Sequence, residues 1–199
     1  MTHSLWNQRY SAEAFVYGRE PNRFFASSLE QLSPGKILLP GEGEGRNAVY
    51  AAGQGWKVDA FDQSSVGAEK AKRLAGEMGV QINYKACGLE DYSFEEGIYD
   101  VVGLVYFHAP TPVRKLLHQK VLEALKPGGM LILEGFHSSQ LGRDSGGPQS
   151  LELLFTRELL LEDFSSLELE LMEECEEDLN EGLFHGGLAK LVRFRGIKK

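Results

Sequence analysis

The amino-acid sequence predicts a doubly wound α/β fold, in which helices cover both faces of a mostly parallel, seven-stranded sheet whose last strand is antiparallel. Two observations lead to this prediction. From residue 36 onward, short apolar segments alternate with amphipathic segments that have helical spacing. In the last third of the chain leucines alternate with glutamates, which is typical of a strand with one solvated face. We expect one domain, because 199 residues is within the usual range for a single α/β domain.

The first five predicted strands are short apolar runs with helical patterns between them. They span residues 36–40, 56–61, 81–86, 99–107 and 130–136. The helix after the second strand has alanines and leucines at helical spacing, and Ser64 or Ser65 could cap its start. The helix before the fifth strand should end at residues 126–129, Lys-Pro-Gly-Gly, because proline and glycine interrupt helices.

The last two predicted strands follow a different pattern. Leu167, Leu169 and Leu171 alternate with glutamates, so we expect a sixth strand near a sheet edge. Residues 186–194 predict a last strand that runs antiparallel to the sixth. The acidic stretch 173–181 between them is interpreted as a solvated turn.

The region before residue 36 has no strand pattern. Pro21 is followed by Phe24, Phe25 and Leu29, which predicts a helix with proline in its first turn. We expect this region to pack over one end of the sheet.

Composition and charge restrict the partners of the chain. The formal net charge of -8 opposes binding to nucleic acid, which depends largely on cationic contacts to phosphates. Cys87 and Cys175 lie far apart without metal-ligand spacing, so we expect neither a disulfide nor a metal site. The sequence has no apolar run of membrane-spanning length and no secretory signal pattern, so we predict a cytoplasmic protein without a membrane partner. The oligomeric state is left open.

The densest chemical signal is the segment after the first strand, residues 41–47, which reads Gly-Glu-Gly-Glu-Gly-Arg-Asn. Alternating glycines between a strand and a helix let a ligand approach the backbone, although a tight turn without a ligand has the same pattern. The dinucleotide motif needs its third glycine one position later, where Arg46 stands. Glu42 and Glu44 would repel a pyrophosphate but tolerate an ammonium and a sulfonium, which favours S-adenosylmethionine (SAM) over a nicotinamide cofactor.

Asp62 supplies the context for this loop. It ends the second strand about twenty residues after the loop, the position from which an acid binds ribose hydroxyls. Its alternative role is the N-cap of the next helix. The interval from the loop favours ligand binding, and one carboxylate could serve both purposes.

Together these features resemble the class I SAM-dependent methyltransferases, whose core is a Rossmann-like sheet. The resemblance rests on the glycine loop, on Asp62, on the fourth strand with Phe107 and His108, and on residues 125–134. Within that class the chain is similar to the small single-domain tellurite-resistance and thiopurine (thiol) methyltransferases. The resemblance implies a single methyltransferase domain over residues 1–199, with residues 1–35 as a helical lid and residues 36–199 as the Rossmann-like core.

The resemblance also implies which residues bind the cofactor. The glycine loop would hold the methionine moiety, Asp62 the ribose, and the residues after the second and third strands the adenine. The complete implied set is Gly41, Glu42, Gly43, Gly45, Asn47, Asp62, Gln63, Ser64, Gly88, Leu89 and Tyr17. The sequence departs from most relatives at Gly88, where they have an acid for the adenine amino group, and at Pro40, where many have an acid before the first glycine.

Methyl transfer requires few dedicated catalytic groups, because the cofactor supplies the reactivity and the protein aligns the acceptor. His108 and Tyr106 are the predicted catalytic residues, with His108 as a base near neutral pH. A structural histidine bonded into the loop before Pro110 is an equal alternative. Further candidates near strand ends and the last hairpin are Glu134, His137 and His185.

We therefore predict a SAM-dependent methyltransferase that transfers a methyl group to a small-molecule acceptor by in-line displacement and releases S-adenosylhomocysteine (SAH). The loop after the fourth strand, Phe107-His108-Ala109-Pro110, differs from that of base methylases, so a polynucleotide acceptor is disfavoured. Two alternatives stay open: a non-catalytic module that binds SAM or SAH, and an NAD(P)-dependent oxidoreductase, which Arg46 argues against.

Overall fold

The computed structural model describes residues 3–199 of the chain. They group into two compact units. The first contains the residues up to 93 together with 181–183, and the second contains residues 94–180 and 184–199.

The described part of the first unit consists of three parallel strands and four helices. In chain order these are α1 (His3–Tyr10), α2 (Arg23–Leu29), β1 (Lys36–Pro40), α3 (Arg46–Gly53), β2 (Lys57–Asp62), α4 (Ser65–Glu77) and β3 (Asn83–Ala86). Strand β2 is the middle strand of the three, since it pairs in parallel with both β1 and β3. The apolar residues of β1, Ile37, Leu38 and Leu39, are at most 1% exposed, as expected for a parallel strand covered on both faces.

The second unit contains the remaining strands and two α-helices. In chain order these are β4 (Tyr99–Val105), α5 (Thr111–Ala124), β5 (Leu125–Phe136), α6 (Arg157–Asp163), β6 (Leu167–Asn180) and β7 (Gly186–Lys198). Strand β7 runs antiparallel to both β5 and β6. Helices α5 and α6 are joined by buried polar groups, because Asp163 accepts hydrogen bonds from Arg114 and His118.

The strand order is β3-β2-β1-β4-β5-β7-β6, which confirms the predicted seven-stranded, mostly parallel α/β sheet. The prediction of β6 as a strand near an edge is confirmed, and so is the antiparallel direction of β7. Ser64 caps α4, since its hydroxyl oxygen accepts a 3.0 Å hydrogen bond from the Gly67 N–H. Among the described residues, no helix is both long and apolar enough to cross a bilayer.

Three local predictions require correction. The acidic stretch 173–181 is not a solvated turn, because β6 continues to Asn180 and pairs with β7 throughout. Cations of the second unit compensate the repulsion between its carboxylates: Arg193 contacts Glu173 and Glu177, and both Arg143 and Lys190 contact Glu176.

Pro21 does not lie in the first turn of a helix. Asn22 is the N-cap of α2, and its side chain accepts a hydrogen bond from the Phe25 N–H. Proline therefore stands just before the cap.

The third correction concerns the fifth strand. Helix α5 ends at Ala124 as the Lys-Pro-Gly-Gly cluster predicts, but Leu125 already pairs with Tyr99 of β4. The register then shifts over the cluster, and pairing resumes between Met130 and Val101.

Candidate functional site

The glycine loop, residues 41–45, connects β1 to α3 in the first unit. Gly41, Gly43 and Gly45 have φ angles of 64°, 61° and 88°, a region that side-chain-bearing residues rarely adopt. Gly45 is the N-cap of α3, and a Cβ atom on it would lie 2.5 Å from the Cβ atom of Ala71 in α4. The loop thus needs its glycines both for backbone conformation and for close packing.

The Glu42 carboxylate occupies the N-terminus of α3. It accepts a 2.7 Å hydrogen bond from the Ala48 N–H and a 3.4 Å hydrogen bond from the Asn47 side chain. Burial raises the pKa of Glu42 to about 7 in spite of these hydrogen bonds. A helix N-terminus is the ordinary binding site for a phosphate, and here the chain's own carboxylate fills it.

Asp62 joins the glycine loop to the start of α4. One of its carboxylate oxygens accepts a 3.2 Å hydrogen bond from the Gly43 N–H, and the other accepts a 2.7 Å hydrogen bond from the Ser64 N–H. Asp62 is buried, with 8% of its surface exposed. Asp62 is not the N-cap of α4, because Ser64 occupies that position; the Asp62 side chain instead links the loop to the N-cap residue.

Two tyrosines enclose Gly43. The hydroxyl of Tyr84 on β3 donates a 2.7 Å hydrogen bond to the Gly43 carbonyl oxygen. On another side, a Cβ atom on Gly43 would lie 2.6 Å from the hydroxyl oxygen of Tyr10. Sequence reasoning missed both residues, although Tyr10 belongs to the N-terminal segment that it singled out as the lid.

A buried ion pair fastens the segment after α1 to the glycine loop. Glu44 lies 2.5 Å from the ammonium of Lys70 in α4, and its other oxygen accepts a 2.8 Å hydrogen bond from the Val16 N–H. The Lys70 ammonium also donates hydrogen bonds to the carbonyl oxygens of Ala12 and Ala14. A lone lysine within a helix gives no sequence signal for this role.

Two side chains of the first turn of α3 form hydrogen bonds with the chain between α1 and α2, and one of them also pairs with Glu181. Asn47 accepts a 2.9 Å hydrogen bond from the Asn22 N–H, and Arg46 donates to the carbonyl oxygen of Tyr17 and pairs with Glu181 at 3.0 Å. Asn47, predicted to bind the cofactor, thus has both ends of its side-chain amide engaged by the protein, since the nitrogen donates to Glu42.

The other residues predicted to bind the cofactor lie at the start of α4, after α1, or in the turn after β3. The Ser64 hydroxyl donates to the side-chain oxygen of Asn7, and the Tyr17 hydroxyl accepts a hydrogen bond from Arg9. The carbonyl oxygen of Gly88 accepts hydrogen bonds from the N–H groups of Asp91 and Tyr92, which form the turn after β3. Gln63 and Leu89 are partly buried beside Asp62 and Gly88 in the chain.

His108, in the second unit, has both ring nitrogens bound to backbone groups. Its Nδ1 lies 2.6 Å from the Leu153 carbonyl oxygen, and its Nε2 accepts a 3.1 Å hydrogen bond from the Phe136 N–H. Burial lowers the pKa of His108 to about 4, so the ring is neutral at physiological pH. This geometry favours the structural alternative for His108.

Tyr106 lies next to a buried charge network. Its φ angle of 53° is in the left-handed region, and its hydroxyl donates a 3.0 Å hydrogen bond to Glu134. Glu134 is 1% exposed and pairs with Arg193 of β7 at 2.5 Å. The Tyr106 ring contacts His185 edge-on, with 4.5 Å between the ring centroids.

The remaining candidate, His137, begins a 3₁₀ turn at Ser138–Gln140, where its Nδ1 accepts a hydrogen bond from the Ser139 N–H. Over the described residues, His, Cys, Asp and Glu side chains form no cluster of three that could hold a metal ion.

Comparison with known proteins shows that part of the chain is similar to methyltransferases. Residues 37–129 match a family model described as a methyltransferase domain. The mouse N-terminal Xaa-Pro-Lys N-methyltransferase 1 is 29% identical over 136 residues, which cover 64% of this chain and 58% of that protein. The chain thus spans less than two thirds of the length of this curated relative.

Solved structures share the fold at low identity. The structure of TehB from Haemophilus influenzae superposes with a TM-score of 0.75 and 16% identity, over 99% of this chain and 67% of that one. A SAM-dependent methyltransferase from Methanosarcina mazei superposes with a TM-score of 0.69 and 18% identity, over 90% and 98% of the two chains. The matched methyltransferase domain and the seven-stranded sheet thus support the resemblance of the chain to the class I SAM-dependent methyltransferase superfamily.

Proposed function

We propose that the chain binds SAM at the glycine loop of its first unit and transfers the methyl group to a small-molecule acceptor. The observation that carries the choice of cofactor is the Glu42 carboxylate at the N-terminus of α3. A pyrophosphate would need that helix terminus, as in dinucleotide-binding proteins, and would meet a carboxylate there. SAM has no phosphate, and its sulfonium and ammonium groups tolerate a nearby carboxylate.

The donor and acceptor groups of the first unit fit SAM. Asp62, held by the Gly43 and Ser64 N–H groups, would bind the ribose hydroxyls. The positive φ angles of the loop glycines leave backbone without side chains beside the methionine moiety. Gly88 and Leu89 would bind the adenine through backbone groups.

When bound, SAM supplies an activated methyl group, which an acceptor takes by in-line displacement. The chain's own residues would orient the reactants and exclude water. His108 is a poor base for this reaction, because Leu153 and Phe136 already engage its ring nitrogens. We propose that the acceptor reacts without a dedicated histidine base, as a soft or easily ionised nucleophile would.

The proposal of a small-molecule acceptor has two supports. The net charge of -8 works against a polynucleotide. Structural neighbours include a geranyl diphosphate methyltransferase solved with GPP and a 1,6-didemethyltoxoflavin-N1-methyltransferase solved with its substrate and SAH. The mouse relative, by its name, methylates a protein N-terminus, so a peptide beginning Xaa-Pro-Lys belongs in the acceptor screen. We also propose a cytoplasmic location.

The test of the cofactor is calorimetric titration with SAM, SAH and NADH. The wild type should bind SAM and SAH, and Asp62→Ala should weaken both by at least about tenfold, because it removes acceptors for charged hydrogen bonds. Asp59→Ala is the matched control: it lies on the same strand, but its side chain pairs with Lys36. Binding of NADH alone, or unchanged SAM binding in Asp62→Ala, would overturn the proposal.

The second candidate is a module that binds SAM or SAH without catalysis. The engaged ring of His108 and the glycine at position 88 favour it. Turnover separates the two functions: release of SAH from SAM with any small acceptor supports the enzyme. Tight SAM binding without turnover across thiol, amine, hydroxyl and selenide acceptors supports the binding module.

A further inference from the structure

We infer that residues 181–183 form a latch on the strap, residues 15–21, and that the cofactor enters and leaves only when this latch opens. The inference rests on the proposed SAM site. The strap connects two fixed points of the first unit: Lys70 donates to the Ala14 carbonyl oxygen before it, and Asn22 is the N-cap of α2 after it. The latch follows β6 in the chain and groups with the same unit.

Glu181 attaches the latch through its side chain. Its carboxylate pairs with the Arg46 guanidinium at 3.0 Å and accepts a 3.4 Å hydrogen bond from the Asn22 side chain. Arg46 in turn donates a 3.0 Å hydrogen bond to the Tyr17 carbonyl oxygen. The side chains of Arg46 and Glu181 are only 8% and 12% exposed, so each charge depends on the other for compensation.

The other two latch residues attach through the backbone. The Leu183 N–H donates a 2.8 Å hydrogen bond to the Val16 carbonyl oxygen. Gly182 has a φ angle of 77°, and a Cβ atom on it would clash with the Val16 carbonyl oxygen and lie 2.6 Å from the Gly18 nitrogen. Position 182 therefore requires glycine both for its conformation and for its close approach to the strap.

The strap contacts the end of the glycine loop and the first turn of α3. The N–H groups of Val16 and Tyr17 donate to Glu44, at 2.8 Å and 3.4 Å. Three side chains beneath the strap are at most 7% exposed: those of Glu44, Arg46 and Asn47. Because we propose that the methionine moiety of SAM lies along this loop, the strap would close over that end of the ligand. Exchange of the ligand then requires the strap to move away.

The latch is the weaker of the two attachments of this part of the chain. Gly182 and Leu183 are exposed, and 72% of the Leu183 surface is accessible. The buried pair of Lys70 and Glu44, by contrast, has side chains that are 7% and 3% exposed. Regions with few buried apolar contacts and solvent-exposed backbone hydrogen bonds open first. The latch should therefore open while Lys70 still holds Ala14.

The test measures the association and dissociation rates of SAH by stopped flow for the wild type, Glu181→Gln and Gly182→Ala. The first variant removes the charge that Arg46 pairs with, and the second places a Cβ atom against the Val16 carbonyl oxygen. Since the strap must open both for entry and for exit, we expect each variant to raise both rates together by about tenfold and to leave Kd nearly unchanged.

Two variants near the latch are the matched controls. A Cβ atom on Gly186 would meet open space, and Asp178 is an exposed acid of β6, so Gly186→Ala and Asp178→Asn should keep the wild-type rates. A higher dissociation rate with an unchanged association rate would show that the latch residues support the bound ligand, and would overturn the inference. Unchanged rates in both latch variants would also overturn it.

Hydrogen exchange tests the opening without any ligand. In Glu181→Gln the Leu183 amide should exchange about tenfold faster than in the wild type. The Val49 amide, which donates to the Gly45 carbonyl oxygen within α3, should be unaffected. Equal acceleration at both amides would indicate global destabilisation and would overturn the latch. Absence of SAH binding to the wild type would overturn the proposed function and the inference together, whereas the preceding outcomes overturn the inference alone.

Discussion

At the scale of single residues, His108 has a geometry that restricts its chemistry. The ring donates to Leu153 and accepts from Phe136, and it packs against the Phe155 ring with 4.8 Å between the centroids. A base must offer a nitrogen lone pair to its substrate, and both nitrogens here are engaged. The side chain therefore joins the loop after β4 to the end of β5 and to residue 153.

This role of His108 predicts a pH-dependent stability. Folding lowers the pKa of His108 from 6.5 to about 4, so between these pH values the imidazole is protonated in the unfolded chain and neutral in the folded chain. Stability should therefore fall as pH decreases from about 6.5 to 4, by up to about 3 kcal/mol. His108→Gln, which does not titrate, should lack this part of the decrease. Urea unfolding of both proteins between pH 7 and pH 4 measures it, and parallel profiles would contradict the structural role.

Glu42 should have the opposite dependence. Its pKa is raised from 4.5 to about 7 by burial, so its favourable contribution is complete below pH 4.5 and is lost as the pH rises through 7. Glu42→Gln keeps an acceptor for the Ala48 N–H without the charge. We expect it to be about 1–3 kcal/mol more stable than wild type at pH 8 and similar at pH 5.

Chemical denaturation at the two pH values measures this difference for Glu42→Gln. Glu90→Gln, a change at an exposed position, is the control and should be neutral at both. Lower stability of Glu42→Gln than of wild type at pH 8 would show that the ionised carboxylate is the favoured form.

At the scale of elements, the glycine loop and the segment after α1 depend on each other. Glu44 reaches the Val16 N–H from the loop, while Lys70 reaches Glu44 and two carbonyl groups of the segment from α4. Three separate pieces of chain therefore meet at one buried ion pair. The segment after α1, which belongs to the predicted lid, is attached at this point to the glycine loop.

Removal of one partner should be costly because it leaves a buried charge. We expect Lys70→Met to lower the free energy of unfolding by about 3–5 kcal/mol and the double variant Glu44→Gln with Lys70→Met to lower it less. Hydrogen exchange at the Val16 amide should accelerate in Glu44→Leu, which removes its acceptor. Lys72→Met, at an exposed position of the same helix, is the control. A double variant less stable than Lys70→Met would contradict the charge argument.

Strand β6 includes most of the acidic stretch that its composition led us to interpret as a solvated turn. Its carboxylates would repel one another in isolation, but Glu173 lies opposite Arg193 of β7 and Glu176 lies opposite Lys190, and each forms an ion pair with that residue. Cross-strand pairs of opposite charge stabilise a sheet. An acidic run thus forms a strand because cations stand on its partner strand.

At the scale of the whole molecule, the chain has two compact units, which could unfold together in one transition or separately in two. We propose that the chain unfolds as one methyltransferase domain, with residues 1–35 as its lid and residues 36–199 as its Rossmann-like core. SAH at one hundred times its Kd should then stabilise the entire chain by about 2.7 kcal/mol. Calorimetry should record a single transition that moves upward with SAH and stays in place in Asp62→Ala.

Two transitions, of which SAH moves only one, would contradict this proposal and would assign the ligand to one unit. The comparison requires equal protein concentration in all runs, because self-association would also change the transition temperature.

The sequence by itself determined the order of the elements, the class of fold and the glycine loop. These features are local, since an apolar run such as residues 37–39, a capping serine and a pair of breakers each act on their own neighbourhood. The Asp62 position was also predictable, because its spacing from the loop follows from the length of one helix and one strand.

Only the tertiary structure decided which side chains are already engaged. Glu44 pairs with Lys70, and Leu153 and Phe136 engage the ring of His108, so both arrangements depend on residues that are far apart in the sequence. Sequence patterns report the periodicity of single elements, whereas hydrogen bonds and burial depend on how elements pack. The chemistry available to each of these residues is therefore a property of the folded chain.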